Sequence, residues 1–414
     1  NIARIYENSD NITLKVKQNR FFISKDEDIN DSTMWRIPLW FVTNSTTTNM
    51  ETIWMDNQPE IEHQIQGSNT DWLLLDPGQF GYYRVNYDLT NWQLLIGQLM
   101  TGHTMIPVGS RGGLIDDSFA LARAGDLSYS IALQLTRYLE NERDYAPWVL
   151  STMALSYLDS NLLRTAAYGS FIKYMRLLIS PLYTALGWSE DGQHTQILTR
   201  NIALDTACFY GLPDCEDQSL RLFHEWMTDP ANNSIPVNNK FTVYCTAIAT
   251  GRQDEFDFAL ARYKQSGDAA ERDVLLTSLP CSRQIWALTL LLEYTLDVDE
   301  TIKAQDVPRL IGNVAKNPIG TSLAWDFFRD NYDIFRERFG DSLFHFGRIV
   351  DGVTSSFSTE FQLKELEKFM SEQPDQGTGE AAFTKAVESI KARIEWSSSY
   401  YEEVKQWLDQ TVAA

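Results

Sequence analysis

The hydrophobic period of this chain changes near residue 90, which limits it to a short sheet-forming part followed by a long helical one. Before that point apolar residues alternate. Ile12, Leu14 and Val16 fall on one face against Thr13, Lys15 and Lys17, the pattern of a half-buried strand. Trp35–Val42 is denser and predicts a strand covered on both faces, with Pro38, which lacks a ladder donor, marking an edge or a bulge. Thr52–Met55, Trp72–Leu75 and Tyr82–Tyr87 read as further strands between turns such as Asp76-Pro77-Gly78. Residues 1–89 are therefore expected to form a small antiparallel β-sandwich that leans on its neighbours for stability.

From Asn91 onward the period is helical. Ile131, Ala132, Leu135, Tyr138 and Leu139 make one apolar stripe over Ser130–Glu140. The pattern returns in Trp148–Leu158, Leu162–Ile179, Ser219–Met227, Ile285–Tyr294, Thr321–Phe335 and Glu360–Met370. Ser128 and Ser358 stand where N-caps belong, and Asp229-Pro230, Gly251 and Gly340-Asp341 are stop signals. Helices without intervening strands predict an α-superhelical domain of the HEAT or armadillo kind over 90–414. The expected fold class is mostly α.

Charge and composition narrow the partners. The 414 residues carry 35 Lys+Arg against 56 Asp+Glu, a net charge of −21, which repels phosphate backbones and argues against nucleic acid. No run reaches the roughly 18 apolar residues of a membrane span, and no leader pattern opens the chain. A start at Asn1, without Met, reads as a piece of something longer.

Four cysteines lie in two pairs, Cys208 and Cys215 seven residues apart, Cys245 and Cys281 36 apart. Spacing alone leaves three connectivities open. Sequons at Asn11, Asn30, Asn44 and Asn232 are candidate glycan acceptors. Together these features point to an oxidising, extracellular setting.

Chemistry-bearing motifs are scarce. The five histidines (His63, His103, His194, His224 and His345) include no two one helical turn apart, so a zinc-hydrolase helix is missing. His224-Glu225 reads as a structural pair. Adjacent carboxylates such as Asp116-Asp117 point about 100° apart on a helix and cannot clamp one metal; a structural role, capping or pairing with Arg111 or Arg123, is expected instead. In Tyr82–Asp88 the aromatics are expected in the core, Arg84 against a carboxylate and Asp88 as a helix cap. Gly377-Thr378-Gly379 lacks the strand and third glycine of a phosphate loop and reads as a turn. No Gly-x-Ser-x-Gly elbow is present.

Several stretches together resemble zinc aminopeptidases of the aminopeptidase N type. They are Asp71–Leu75, Gly81–Asp88, Ile106-Pro107 with Arg111 and Asp116–Phe119, Asn141–Trp148, Trp325–Phe327, Phe357–Thr359 and Arg393–Trp396. The resemblance covers nearly the whole chain and implies the non-catalytic C-terminal half of such an enzyme, with zinc held by a domain upstream. It implies the pairings Cys208–Cys215 and Cys245–Cys281. It carries over no catalytic or metal residue, since the family's zinc ligands lie upstream. Implied partners are the N-terminal and catalytic domains of the same protein, peptide substrates in a shared cavity, a second copy of the chain, and toxin or viral proteins. The implied place is the outer face of an animal plasma membrane. The rival is a stand-alone extracellular binding module. An apolar patch on the sandwich, where a catalytic domain packs, is expected under the first reading.

Overall fold

A computed structural model of the chain describes residues 2–8, 11–23, 33–45, 50–297, 301–342 and 344–413. Among them, six strands precede the helices: β1 (Ile2–Asn8), β2 (Asn11–Lys17), β3 (Arg36–Thr43), β4 (Glu51–Asp56), β5 (Glu60–Gln66) and β6 (Leu73–Leu75). They form two antiparallel sheets, ordered β1-β2-β5 and β4-β3-β6. Ile12, Leu14, Val16 and Ile65 of one sheet share a core with Leu39, Phe41 and Met55 of the other. Strand β5 is too polar for its period to signal it, with only Ile61 and Ile65 apolar. His63 on the same strand lies edge-on to Phe41, ring centroids 6.3 Å apart.

Pro38 sits in the middle strand of its sheet, yet the sequence logic of an edge still holds locally. Strand β4 pairs with Arg36–Phe41, whereas β6 pairs only with Phe41–Thr43. Pro38 therefore faces one neighbour, and on its carbonyl the Tyr83 hydroxyl donates at 3.1 Å. Tyr82–Tyr87 is not a strand: it runs as bends with a single bridge residue, and the Val85 N–H is taken by the Asp117 side chain rather than by a ladder.

Seventeen helices follow among the described residues. The first nine are α1 (Leu89–Gly102), α2 (Val108–Arg123), α3 (Tyr129–Thr136), α4 (Tyr145–Leu162), α5 (Tyr168–Leu186), α6 (His194–Phe209), α7 (Pro213–Thr228), α8 (Lys240–Thr250) and α9 (Gln253–Gln265). The rest are α10 (Ala269–Ser278), α11 (Ile285–Glu293), α12 (Val307–Lys316), α13 (Gly320–Asp330), α14 (Tyr332–Phe339), α15 (His345–Thr354), α16 (Glu360–Glu372) and α17 (Glu380–Ala413). Asp88 caps α1 through the Asn91 N–H and Ser128 caps α3 through the Ser130 N–H. At α16 the cap is Thr359, not Ser358.

Two expected helices break where composition gives no warning. Leu162–Ile179 is divided after Leu162 by a turn, residues 163–167, that contains neither Gly nor Pro. Thr321–Phe335 is divided at Asn331, whose side-chain amide donates to the Phe327 carbonyl and closes α13.

The helical part holds two cores. The first joins both sheets to α1–α6 and to Trp396, Val404 and Leu408 of α17. The second runs from Phe223 in α7 to Phe383, Ala386 and Ile390 of α17. At 34 residues, or roughly 50 Å, α17 reaches across both. Close packing in the second core is set by Gly312 on α12 and Gly352 on α15: a Cβ on Gly352 would lie 2.9 Å from the Gly312 Cα.

Candidate interaction surface

The most exposed aromatic side chains near the sheets are organised by one turn. Asp76 and Gln79 both adopt positive φ, +49° and +54°, a conformation that costs energy for residues with a Cβ and persists only where surroundings enforce it. Here they do. The Asp76 N–H donates to the Trp40 carbonyl at 2.7 Å and the Gln79 N–H to the Asp76 carbonyl at 2.9 Å. The Asp76 carboxylate accepts the N–H groups of Phe80 and Gly81, each at 2.8 Å. From α2, the Ser110 hydroxyl donates to the Pro77 carbonyl at 2.6 Å. Gly113 of α2 lets the turn approach, since a Cβ there would stand 2.5 Å from the Gln79 side chain.

The turn presents Phe80, 72% exposed, and Tyr82, fully exposed. Phe80 meets Trp40 edge-on at 6.1 Å. Alternation along β3 puts Arg36, Pro38 and Trp40 on one face, and Trp54 of β4 stands opposite Pro38. The Arg36 guanidinium lies 4.4 Å from the Trp54 ring centroid while its Nε donates to Asp56 at 2.6 Å. Trp40, Trp54 and Phe80 thus make an outward aromatic face on the β4-β3-β6 sheet. Tyr82, expected in the core, faces solvent instead; Tyr87 is the buried member, accepting the Leu75 N–H at 3.0 Å.

Behind this face lies the junction with the helices. Arg84 donates to Asp116 at 2.5 Å and to Asp117 at 3.0 Å. The Val85 N–H donates to Asp117 at 2.9 Å. Burial pushes Asp117 up to about 6, against the opposing pull of the Val85 N–H and Arg84. The two aspartates pair with Arg84, not with Arg111 or Arg123. Arg111 is buried with Glu142 and reaches Asp144 at 2.8 Å. His224 pairs with Glu255 at 2.6 Å and Glu225 with Arg221 at 2.7 Å. Gly377–Gly379 is a single 3-10 turn before α17.

Cys208–Cys215 and Cys245–Cys281 are bonded. Asn232 and Asn44 are exposed in turns. Asn11 begins the central strand β2, paired with Asn8 and Gln66. Asn30 lies outside the described residues, as does Thr46 of the Asn44 sequon.

The family's zinc does not fit this chain. The five histidines lie on five separate elements, all four cysteines are in disulfides, and no group of three His, Cys, Asp or Glu capable of holding a metal occurs among the described residues. A shallow groove of about 320 Å³ beside α13 and α16 is lined by Trp325, Phe357, Phe361 and Arg164. No described helix is long and apolar enough to cross a membrane.

Fold and surface define a two-part module, a small sandwich joined to a helical array, that offers aromatic contact surface. The family model of the ERAP1-like C-terminal domain matches residues 72–392, and the chain belongs to that family. It is 36% identical over 395 residues to the thyrotropin-releasing hormone-degrading ectoenzyme of Rattus norvegicus, covering 92% of this chain and 36% of that protein. Aminopeptidase N of Canis lupus familiaris is 36% identical over 387 residues, 91% of this chain and 39% of that protein. For aminopeptidase N of Bos taurus the figures are 35% over 411 residues, 96% and 42%. The chain thus spans about two fifths of the length of these relatives, in keeping with the resemblance read from its motifs.

Proposed function

We propose that this chain is the non-catalytic part of an extracellular zinc aminopeptidase, supporting and capping a catalytic domain that lies outside it. The observation that carries this reading is the aromatic face of Trp40, Trp54 and Phe80, held rigidly outward on a chain of high net charge. A solvated sheet face does not need three large aromatics; a packing face does. Relatives named as an ectoenzyme and as aminopeptidases support it. In this reading the sandwich is a unit over 1–89, the helices over 90–414 wall a peptide cavity, zinc belongs to the catalytic domain, and the parent removes N-terminal residues from peptides outside the cell. Asn44 and Asn232, exposed in turns, are the sequons best placed for glycans. Dimerisation through the helices belongs to the same reading.

The test is co-expression of the chain with the region that precedes the matched segment in its relatives, followed by size-exclusion chromatography with light scattering and an aminoacyl-substrate assay. A complex with chelator-sensitive activity is expected, while the chain alone turns over nothing. Phe80→Asp with Trp54→Asp is expected to abolish the complex and leave the helical circular dichroism intact. Activity of the isolated chain, or a complex indifferent to these changes, would sink the reading.

The second reading, a binding module that serves as a receptor for a toxin or viral protein, draws on the Trp325, Phe357 and Phe361 groove. It predicts a monodisperse chain that ignores the upstream region.

A further inference from the structure

The groove beside α13 and α16 lies where the two cores meet. Arg164, from the turn at residues 163–167, lines it together with Trp325 of α13, Phe357, and Phe361 and Gln362 in the first turn of α16. Its volume of about 320 Å³ falls within the range of small-ligand pockets, roughly 300–1,000 Å³.

The polar groups of the groove divide into engaged and unengaged. Arg329 holds both carboxylates, pairing with Asp326 and, at 3.6 Å, with Glu365. The Ser358 N–H, at 2.9 Å, and the Thr359 hydroxyl, at 3.1 Å, both donate to Oε1 of the buried Gln362. That orients the Gln362 amide, and its Nε2 donates to no group among the described residues. The Trp325 ring is fixed edge-on to Phe357 at 5.3 Å, with the Arg329 guanidinium 5.3 Å from its centroid. Trp325 is buried, yet its Nε1 has no acceptor. Exposed Arg164 makes no ion pair or hydrogen bond among the described residues. Buried donors without acceptors are rare and costly, so these groups call for a ligand that brings oxygen acceptors.

Charge narrows the ligand further. Arg164 and Arg329 balance Asp326 and Glu365, which leaves no local excess for an anion or a cation to answer. Phe361, 68% exposed, offers an apolar ring to stack on. An uncharged, oxygen-rich molecule with one apolar C–H face meets all three conditions, and a pyranose sugar is such a molecule. We propose that this groove is a binding subsite for a neutral saccharide. One sugar ring lies on Phe361, and its hydroxyl or acetamido oxygens accept from Gln362 Nε2 and Arg164, with Trp325 Nε1 as a further donor. The inference does not rest on the peptidase reading, and it gives the groove a different occupant from the protein of the second reading.

The test is saturation-transfer NMR on the full chain, freed of any N-glycans, with chitotriose, maltotriose and a neutral aromatic tripeptide amide as probes. Transfer to the ring protons of chitotriose, maltotriose or both is expected. Transfer to chitotriose alone assigns recognition to the acetamido group, and transfer to both assigns it to the hydroxyls. Phe361→Ala, at an exposed position, is expected to raise the half-saturating sugar concentration up to about tenfold. Arg164→Ala should weaken binding in the same direction and is the readout if the first variant does not fold. Phe209→Ala, another exposed aromatic, should leave it unchanged. No transfer to either sugar, sugar binding indifferent to Phe361→Ala and Arg164→Ala, or displacement of the sugar by the tripeptide amide overturns the proposal.

Discussion

The indole N–H of Trp396 on α17 donates to the hydroxyl of Tyr129 on α3 at 2.7 Å, across 267 residues of chain. The two rings meet edge-on, centroids 5.8 Å apart, and both are buried. About two turns beyond, Glu403 of α17 accepts the Ser130 N–H at 2.8 Å, where a carboxylate meets the positive end of α3. The last helix is thereby fastened into the first core after having contributed to the second.

Trp396→Phe keeps most of the packing and removes the donor. Leaving the buried Tyr129 hydroxyl unpaired is expected to cost about 1–3 kcal/mol. Tyr129→Phe should cost a similar amount, and the double variant clearly less than the sum, because both delete the same bond. Urea unfolding followed by fluorescence measures all three; strict additivity would rule out the coupling.

Arg111 and Glu142 form a buried pair, with side chains 4% and 0% exposed. Removing one partner strands the other charge, so Arg111→Met is expected to lose about 3–5 kcal/mol. Arg111→Met combined with Glu142→Leu should be markedly milder than either alone. Equal losses for single and double variants in chemical denaturation would contradict this.

Asp117 gives a pH signature. Its folded value, about 6, lies above the value near 3.9 of an unfolded chain. The folded state therefore binds the proton first, and this group favours folding fully below about pH 4. That contribution is lost as pH rises through 6, on the order of 2–3 kcal/mol in all. Asp117→Asn should flatten the stability profile between pH 4 and 7 relative to the parent. A difference profile without slope in that window would show that Asp117 is not the titrating group.

The two disulfides should differ in worth. The 36-residue separation of Cys245–Cys281 closes a longer loop than the seven of Cys208–Cys215. Loop entropy then makes the longer one more stabilising by roughly 1.4 kcal/mol. Paired Cys→Ser variants compared by thermal unfolding check the order; a reversed order would mean that local packing outweighs chain entropy.

Much of the architecture was legible locally. Alternation marked β2, β3 and β4, helical stripes marked α3, α4, α5, α7, α11, α13, α14 and α16, and Asp88 and Ser128 were readable as caps because capping depends on a few adjacent residues. The aromatic face was legible only in outline. Tyr82 and Tyr87 belong to one motif, yet one is fully exposed and the other buried, and a strand pattern gives no way to tell them apart once the segment leaves the sheet. The partner of Asp116 and Asp117 was misassigned because the true one, Arg84, lies more than 30 residues away, whereas Arg111 and Arg123 are sequence neighbours.

By itself the sequence determined the change from sheet to helix, many of the elements and the family: period, turn residues and caps act over a few positions, and a chain obeys them wherever it is placed. Only the tertiary structure decided that α17 serves two cores, that the Asp76 turn drives Phe80 outward, and that Arg123 lies over the Tyr157 ring. Those facts depend on which distant surfaces exclude water together, and hydrophobic burial is non-directional; apolar pattern says that a face is covered, while packing alone selects what covers it.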